Sequence, residues 1–232
     1  INNPTFLNLE DDQWSGIVNI GFTFNFYGNN HTQCVIGSNG LVTFNLNEAN
    51  QGCSWLTSAN QSWPSNSNGE SINSAMLCYT DIDPSSGGFV YYKTEGTAPN
   101  RVFWVVYENI PSFGIPDCNF MALALFEGSN NIEYHILDKQ INPNWNGGRA
   151  TQGTHSFQAN VGTITPGRNN SQWIASNDGR LFTPSGQGAN TTYTMSEIPL
   201  KVVRRAGTTT SNYQWRSTQG QNFAWNNGVL TV

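Results

Sequence analysis

The sequence predicts an all-β protein: an antiparallel β-sandwich of jelly-roll type, followed by the start of an Ig-like β module. Three observations predict it. Val18, Ile20, Phe22, Phe24 and Phe26 alternate with Asn19, Gly21, Thr23 and Asn25, a period of two that lines one face of a strand. Short apolar runs recur along the chain between clusters of Gly, Pro, Asn and Ser, the rhythm of sandwiches and barrels. Helical spacing of apolar residues, at 3.6, is absent throughout.

Taken in order, residues 1–16 form a lead-in with Phe6 and Leu7 as anchors. After the Phe-rich strand, Asn39-Gly40 predicts a two-residue hairpin turn, because both central residues of a type I′ turn need φ > 0. That turn would pair Gly37 with Val42 and Val35 with Phe44. It would place Val35, Val42, Phe44 and Leu46 on the core face and Ile36 and Leu41 on the other. Asn47 to Glu70 is a long polar loop carrying Trp55 and Trp63; loops of this length are functional or held down by their own aromatics. Strands follow at Ile72–Tyr79 and Phe89–Lys93. RVFWVVYENI, residues 101–110, is apolar on both parities and predicts a central strand buried on both faces; Trp104 within it is a core residue. Phe120–Glu127 and Ile132–Leu137 form a second hairpin, and Ala150–Phe157, Asn160–Ile164 and Arg180–Thr183 complete the sandwich. Pro184 to Gly188 reads as a linker. The predicted division is therefore residues 1–184 for the sandwich and 185–232 for a linker with a partial Ig-like module or edge strands. Strands in that tail are expected at Thr191–Met195, Leu200–Arg204, Tyr213–Arg216 and Val229–Val232.

Composition narrows the function classes. Hydrophobic residues make up 37% and aromatics 12% of the 232 residues, enough for a core. Only 11% are charged, against roughly 25% in typical soluble proteins. Solubility then rests on Asn, Ser, Thr, Gln and Gly, a neutral surface suited to the outside of a cell. The net charge of −5 and the lack of a Lys/Arg cluster argue against nucleic acid. The one basic knot, Lys201-Val202-Val203-Arg204-Arg205, reads as a strand with a solvated face. No apolar run reaches the about 18 residues of a membrane span. The opening INNPTFLNLEDD carries neither Met nor a signal peptide, as expected of a mature chain after signal removal or of an excised fragment.

Cys34, Cys53, Cys78 and Cys118 are even in number and lack metal-ligand spacing. Two disulfides fit an extracellular chain. Cys34–Cys78 with Cys53–Cys118 is the favoured pairing of three, and buried thiols are the alternative.

No GxSxG, P-loop, HExxH or dinucleotide fingerprint occurs, and His31, His135 and His155 stand apart from any obvious nucleophile. Glycoside hydrolysis would need two facing carboxylates, and nothing selects a pair among Asp81, Asp83, Glu108, Glu127 and Glu133. The sharpest polar feature is Asp81-x-Asp83 before Pro-Ser-Ser-Gly-Gly. It could supply oxygen ligands to Ca²⁺, with Asp11 and Asp12 contributing from elsewhere; the alternative is Asp side chains bonding nearby backbone N–H groups. Among the loop tryptophans, Trp55, Trp63, Trp145 and Trp173 could stack on sugar rings; with so much loop to hold down, pinning loops to the sandwich is the favoured reading of each one singly.

The segments FTFNFYG, VIGSNGLVTF, TDIDPSSGG, GTAPNRVFWVVYENIP, LFEGSNNIEYHI, NWNGG and TPGRNNSQWIASNDGRLFTPSG follow one another from about residue 15 to 186. In order and spacing they resemble the module of large Bacteroidetes surface adhesins, the SprB-like gliding-motility proteins exported by type IX secretion. The SNG hairpin and the acidic strand end resemble, more loosely, the NIDO domain. The resemblance implies a secreted, cell-surface, non-enzymatic β-module followed by Ig-like repeats. The function expected is adhesion or surface-filament formation, mediating attachment or gliding. The alternative is a lectin-like carbohydrate-binding module assisted by calcium. Expected partners are surface glycans, other cell-surface proteins and neighbouring modules of the same chain.

Overall fold

The computed structural model describes residues 1–55, 60–65 and 69–206 and two short strands at 224–226 and 229–231. Its two large sheets are antiparallel and pack face to face around one main core. The first sheet runs, in spatial order, β1 (Thr5–Leu7), β6 (Phe89–Glu95), β7 (Val102–Ile110), β8 (Asn119–Phe126), β9 (Ile132–Lys139), β13 (Ala175–Ser185) and β14 (Thr192–Ile198). The second runs β11 (Gly162–Ile164), β10 (Arg149–His155), β5 (Ser74–Tyr79), β4 (Leu41–Thr43), β3 (Asn29–Gly37) and β2 (Val18–Phe26), with β12 (Ser171–Gln172) also paired to β10. Separately, β15 (Ala224–Asn226) and β16 (Val229–Thr231) pair with each other.

The alternating run behaves as its period demands. All five of its apolar residues are buried in β2, in one cluster with Phe103, Val105 and Tyr107 of β7 and with Leu123 and Leu125 of β8. Phe44 stacks on Phe24 at 5.7 Å and lies 4.7 Å from Phe26. The central strand is also buried on both faces. Phe103, Val105 and Tyr107 face the sandwich interior, while Val106 joins Tyr91, Phe120, Ala122 and Leu137 on the outer side. Trp104 is half-buried on that outer side, outside the main core.

The hairpin differs from its predicted register. Gly37 pairs with Leu41, Ile36 with Val42 and Val35 with Thr43, so the loop is the three residues Ser38, Asn39 and Gly40. Gly40 has φ +78°, and Asn39 is not in the left-handed region. This is the geometry of a three-residue loop closed by one left-handed glycine. One residue of slip exchanges the faces of the β3 residues, Val35 and Ile36, and leaves Leu41, Val42 and Phe44 on the faces expected of them. Ile36, Val42 and Phe44 lie in the main core, whereas Val35 and Leu41 join Trp14, Cys53, Trp63, Met76 and Tyr79 in a second apolar layer outside the sheet.

The four cysteines form no disulfide. Strand β4 lies between β3, which carries Cys34, and β5, which carries Cys78. Two strand spacings, roughly 9.5 Å, exceed the Cα separation of about 4.4–6.8 Å that a bridge spans. Cys53 is buried in the outer layer of the second sheet, while Cys118 is exposed at the entry to β8 in the first.

Pro184 to Gly188, read as a linker, belongs instead to a hairpin: Pro184 and Ser185 end β13, Gly186 to Gly188 enter its turn, and β13 and β14 pair from Gly179↔Ile198 to Ser185↔Thr192. The predicted strand at Leu200–Arg204 is an extended strap without strand pairing. Its Leu200, Val202 and Val203 lie on the outer apolar face of the first sheet. The strand expected at Tyr213–Arg216 lies outside the described residues.

Candidate functional site

The three-residue hairpin loop organises one end of the second sheet. Gly40 accepts from Cys78 N–H (3.1 Å) and Asn39 C=O from Thr80 N–H (3.2 Å), which ties the exit of β5 to the loop. Gln13 and Ser38 exchange bonds, with Ser38 N–H donating to Gln13 C=O and Gln13 N–H to Ser38 Oγ. The buried Asn39 side chain then joins three separate segments. Its Nδ2 donates to Asp12 Oδ1 at 2.7 Å and to Cys53 C=O at 3.0 Å, and its Oδ1 accepts from Ile82 N–H at 3.1 Å.

These bonds converge Asp11, Asp12 and Asp81, each of which brings a carboxylate oxygen within 4.8 Å of the other two. Asp81 leaves β5 and is only 7% exposed. One of its oxygens accepts from Trp145 Nε1. The other, Oδ1, is buried without a hydrogen-bond partner, as is Oδ1 of Asp11. No Lys, Arg or His forms an ion pair with Asp11 or Asp81 among the described residues. Burial, then repulsion by Asp12, Asp11 and Asp83, pushes the Asp81 carboxyl up to about 7 against the help of Trp145. Burial and repulsion by Asp12 and Asp83 push Asp11 up to about 6. Three converging carboxylates, with Asp11 and Asp81 each holding a buried oxygen that accepts no hydrogen bond, have the hard-oxygen chemistry of a divalent-cation site.

Of the two aspartates in the Asp81-x-Asp83 motif, the cluster takes Asp81. Asp83 does what the turn reading of the motif describes. Its Oδ1 accepts from Ser85 N–H (2.9 Å), Ser85 Oγ (2.6 Å) and Ser86 N–H (3.3 Å), and its Oδ2 from Ser86 Oγ. Burial works against ionisation, yet these bonds hold Asp83 below the usual carboxylate range. Sequence reasoning missed the roles of Asn39 and Trp145. For Asp11-Asp12 the signal was the acidic pair itself.

The four candidate tryptophans are dispersed. Trp63 is buried in the outer layer, its Nε1 donating to Ser71 Oγ at 2.7 Å. Trp173 is buried, donates to Ala150 C=O, and has Lys139 and Arg168 over its ring at 4.7 and 4.4 Å. Trp55 is half-buried. Trp145 is 41% exposed and packs on Phe113 at 5.2 Å beside the acidic cluster. Of the candidate catalytic acids, Glu108 pairs with Arg205, Glu127 with Arg101 and Glu133 with Lys201.

No curated protein and no solved structure matches the chain significantly. The family model described as NIDO related matches residues 2–199, which takes in both large sheets and the acidic cluster. The chain therefore belongs to the NIDO-related family.

Proposed function

We propose that this extracellular-type module is a non-catalytic adhesion domain of a larger bacterial surface protein, of the SprB-like kind that mediates attachment or gliding. The observation that carries the reading is the NIDO-related match over residues 2–199. The neutral polar composition supports it, since a chain with 11% charged residues resists changes of ionic strength outside the cell. The ion pairs of Glu108, Glu127 and Glu133 support it too: each acid neutralises a cation. The test is retention of beads carrying the 232-residue chain on a glycoprotein-coated surface under flow. Retention above albumin-coated beads, with no sugar or peptide released from the coat, is the expected result. Retention equal to albumin sinks the reading, and steady turnover of the coat replaces it with catalysis.

Carbohydrate recognition is a second reading, favoured by an open cleft of about 630 Å³ between the two sheets. Asn19, Thr23 and Thr32 line it on one side and Pro99, Arg101 and Glu127 on the other. It offers neutral and charged hydrogen-bonding groups where the tryptophans do not gather. A glycan array decides: binding that Asn19→Ala and Thr23→Ala abolish supports this reading, and a blank array removes it.

A further inference from the structure

We propose that Asp11, Asp12 and Asp81 bind a hard divalent cation, calcium, which clips the lead-in segment to the exit of β5. Two independent observations point to a ligand. Three carboxylates from segments 70 residues apart in sequence come within 4.8 Å of one another. Within them Asp81, more than nine-tenths buried, holds Oδ1 without a hydrogen-bond partner. A buried unpaired acceptor is costly, and a cation coordinated there removes the cost. Asn39 acts as an orienting residue behind the site: its Nδ2 donates to Asp12 Oδ1 and fixes that carboxylate beside Asp11 and Asp81. Trp145 does the same for Asp81. Calcium takes six to eight oxygens with loose geometry, so water completes the shell; three carboxylates crowded together from two segments suit it better than magnesium, which keeps most of its own water and takes one or two carboxylates.

The proposal deepens the extracellular reading, because a three-carboxylate site open to water has an affinity on the order of 0.1–1 mM, filled where calcium is millimolar. It does not depend on adhesion: binding is measured on the chain alone.

Trp145 supplies a built-in probe, since its indole touches a ligand of the ion. Terbium, a calcium mimic, added to the chain should emit on tryptophan excitation, and calcium should displace it. Isothermal calorimetry should give one calcium site, and the melting temperature should rise with calcium concentration. Asp11→Asn and Asp81→Asn should each weaken calcium binding at least tenfold while melting in chelator no lower than the parent. Glu197→Gln, an acid remote from the cluster, should leave affinity unchanged, and Trp145→Phe should lower terbium emission and weaken calcium binding less than Asp81→Asn does. No calcium or terbium binding at millimolar concentration overturns the proposal. So does binding that persists undiminished in both Asn variants, or a response to magnesium with none to calcium.

Discussion

Asn39 is fully buried and its side chain satisfies groups on three other segments: Asp12, Cys53 and Ile82. Removing it strands a buried C=O and a buried N–H. Asn39→Ala should therefore cost about 2–4 kcal/mol, a fall in melting temperature of roughly 5–15 °C for a chain of this size. Asn39→Asp should cost more, because it replaces the donor facing Asp12 with a second negative charge. Thermal denaturation checks both, and an alanine variant within 1 °C of the parent would show that the loop holds without this side chain. The sequence announced Asn39 only as a turn former. Its chemical task was illegible because its partners lie 27 and 43 residues away, and no local pattern encodes such a pairing. The cysteines make a second case at this scale. Burial pushes the Cys34 thiol up and Cys78 up to about 11, so neither offers thiolate to a reagent. With Cys53 also buried and Cys118 exposed, a disulfide reagent should modify one thiol rapidly in the native chain and four after denaturation. Four unreactive cysteines on denaturation without reductant would mean that disulfides form after all. The even count of cysteines was legible, but the position of β4 between Cys34 and Cys78 was not.

The hairpin between β3 and β4 shows how an element can be read correctly in kind and wrongly in register. Asn-Gly signals a tight turn in either a two- or a three-residue loop, and the choice depends on what Asn39 bonds to. The structure has one left-handed residue there, Gly40, since Asn39 is committed to three other segments. The slip turns Ile36 inward and Val35 outward, where Val35 joins Leu41 and where the lead-in residue Trp14 and the loop residues Cys53 and Trp63 supply an apolar layer to meet them. A second layer made by remote segments has no trace in the strand's own pattern. By contrast the buried face of β2 was legible, because its outer face meets solvent and its alternation is clean, although the irregularity in its pairing with β3 between Asn19 and Phe24 left no mark on that alternation. Gly40 is where this element is most exposed to mutation. A Cβ there would lie 2.2 Å from the Cys78 carbonyl oxygen, at a φ of +78°. Gly40→Ala should cost about 1–3 kcal/mol in backbone strain alone, with a further loss from displacing the exit of β5. Urea denaturation measures it. Because Asp81 follows that exit, the same variant should also weaken calcium binding, which calorimetry reads separately from stability.

Across the whole molecule, the least expected feature is the strap at residues 200–206. The basic knot Lys201–Arg205 suggested a strand with a solvated face, because two valines flanked by cations look half-exposed. Instead, Val202 and Val203 cover the apolar outer face of the first sheet. The cations neutralise acids buried in that face: Lys201 Nζ reaches Glu133 Oε2 at 2.6 Å and Arg205 reaches Glu108 Oε1 at 2.7 Å. The two chain segments that frame the domain also meet. The backbone nitrogen of Ile1 donates to Arg204 C=O and Ala206 N–H donates to Ile1 C=O. This arrangement explains why β7 can be apolar on both parities within a single sandwich: one face packs on the second sheet, the other is roofed by the strap. Glu108 is 1% exposed and also accepts from Tyr91 Oη at 2.7 Å, so its charge depends on the strap staying in place. Removing the cation from such a pair costs more than the pair contributes, because the carboxylate remains behind. Arg205→Met should therefore destabilise the chain by about 2–4 kcal/mol. Glu108→Gln should cost less, since the amide is neutral and can still accept from Tyr91. The double variant should be more stable than the two single costs added together predict, with a coupling of about 1–2 kcal/mol. Urea denaturation of the four proteins measures the cycle. Additive costs would mean that the Arg205–Glu108 pair is incidental and that the strap is held by its other contacts.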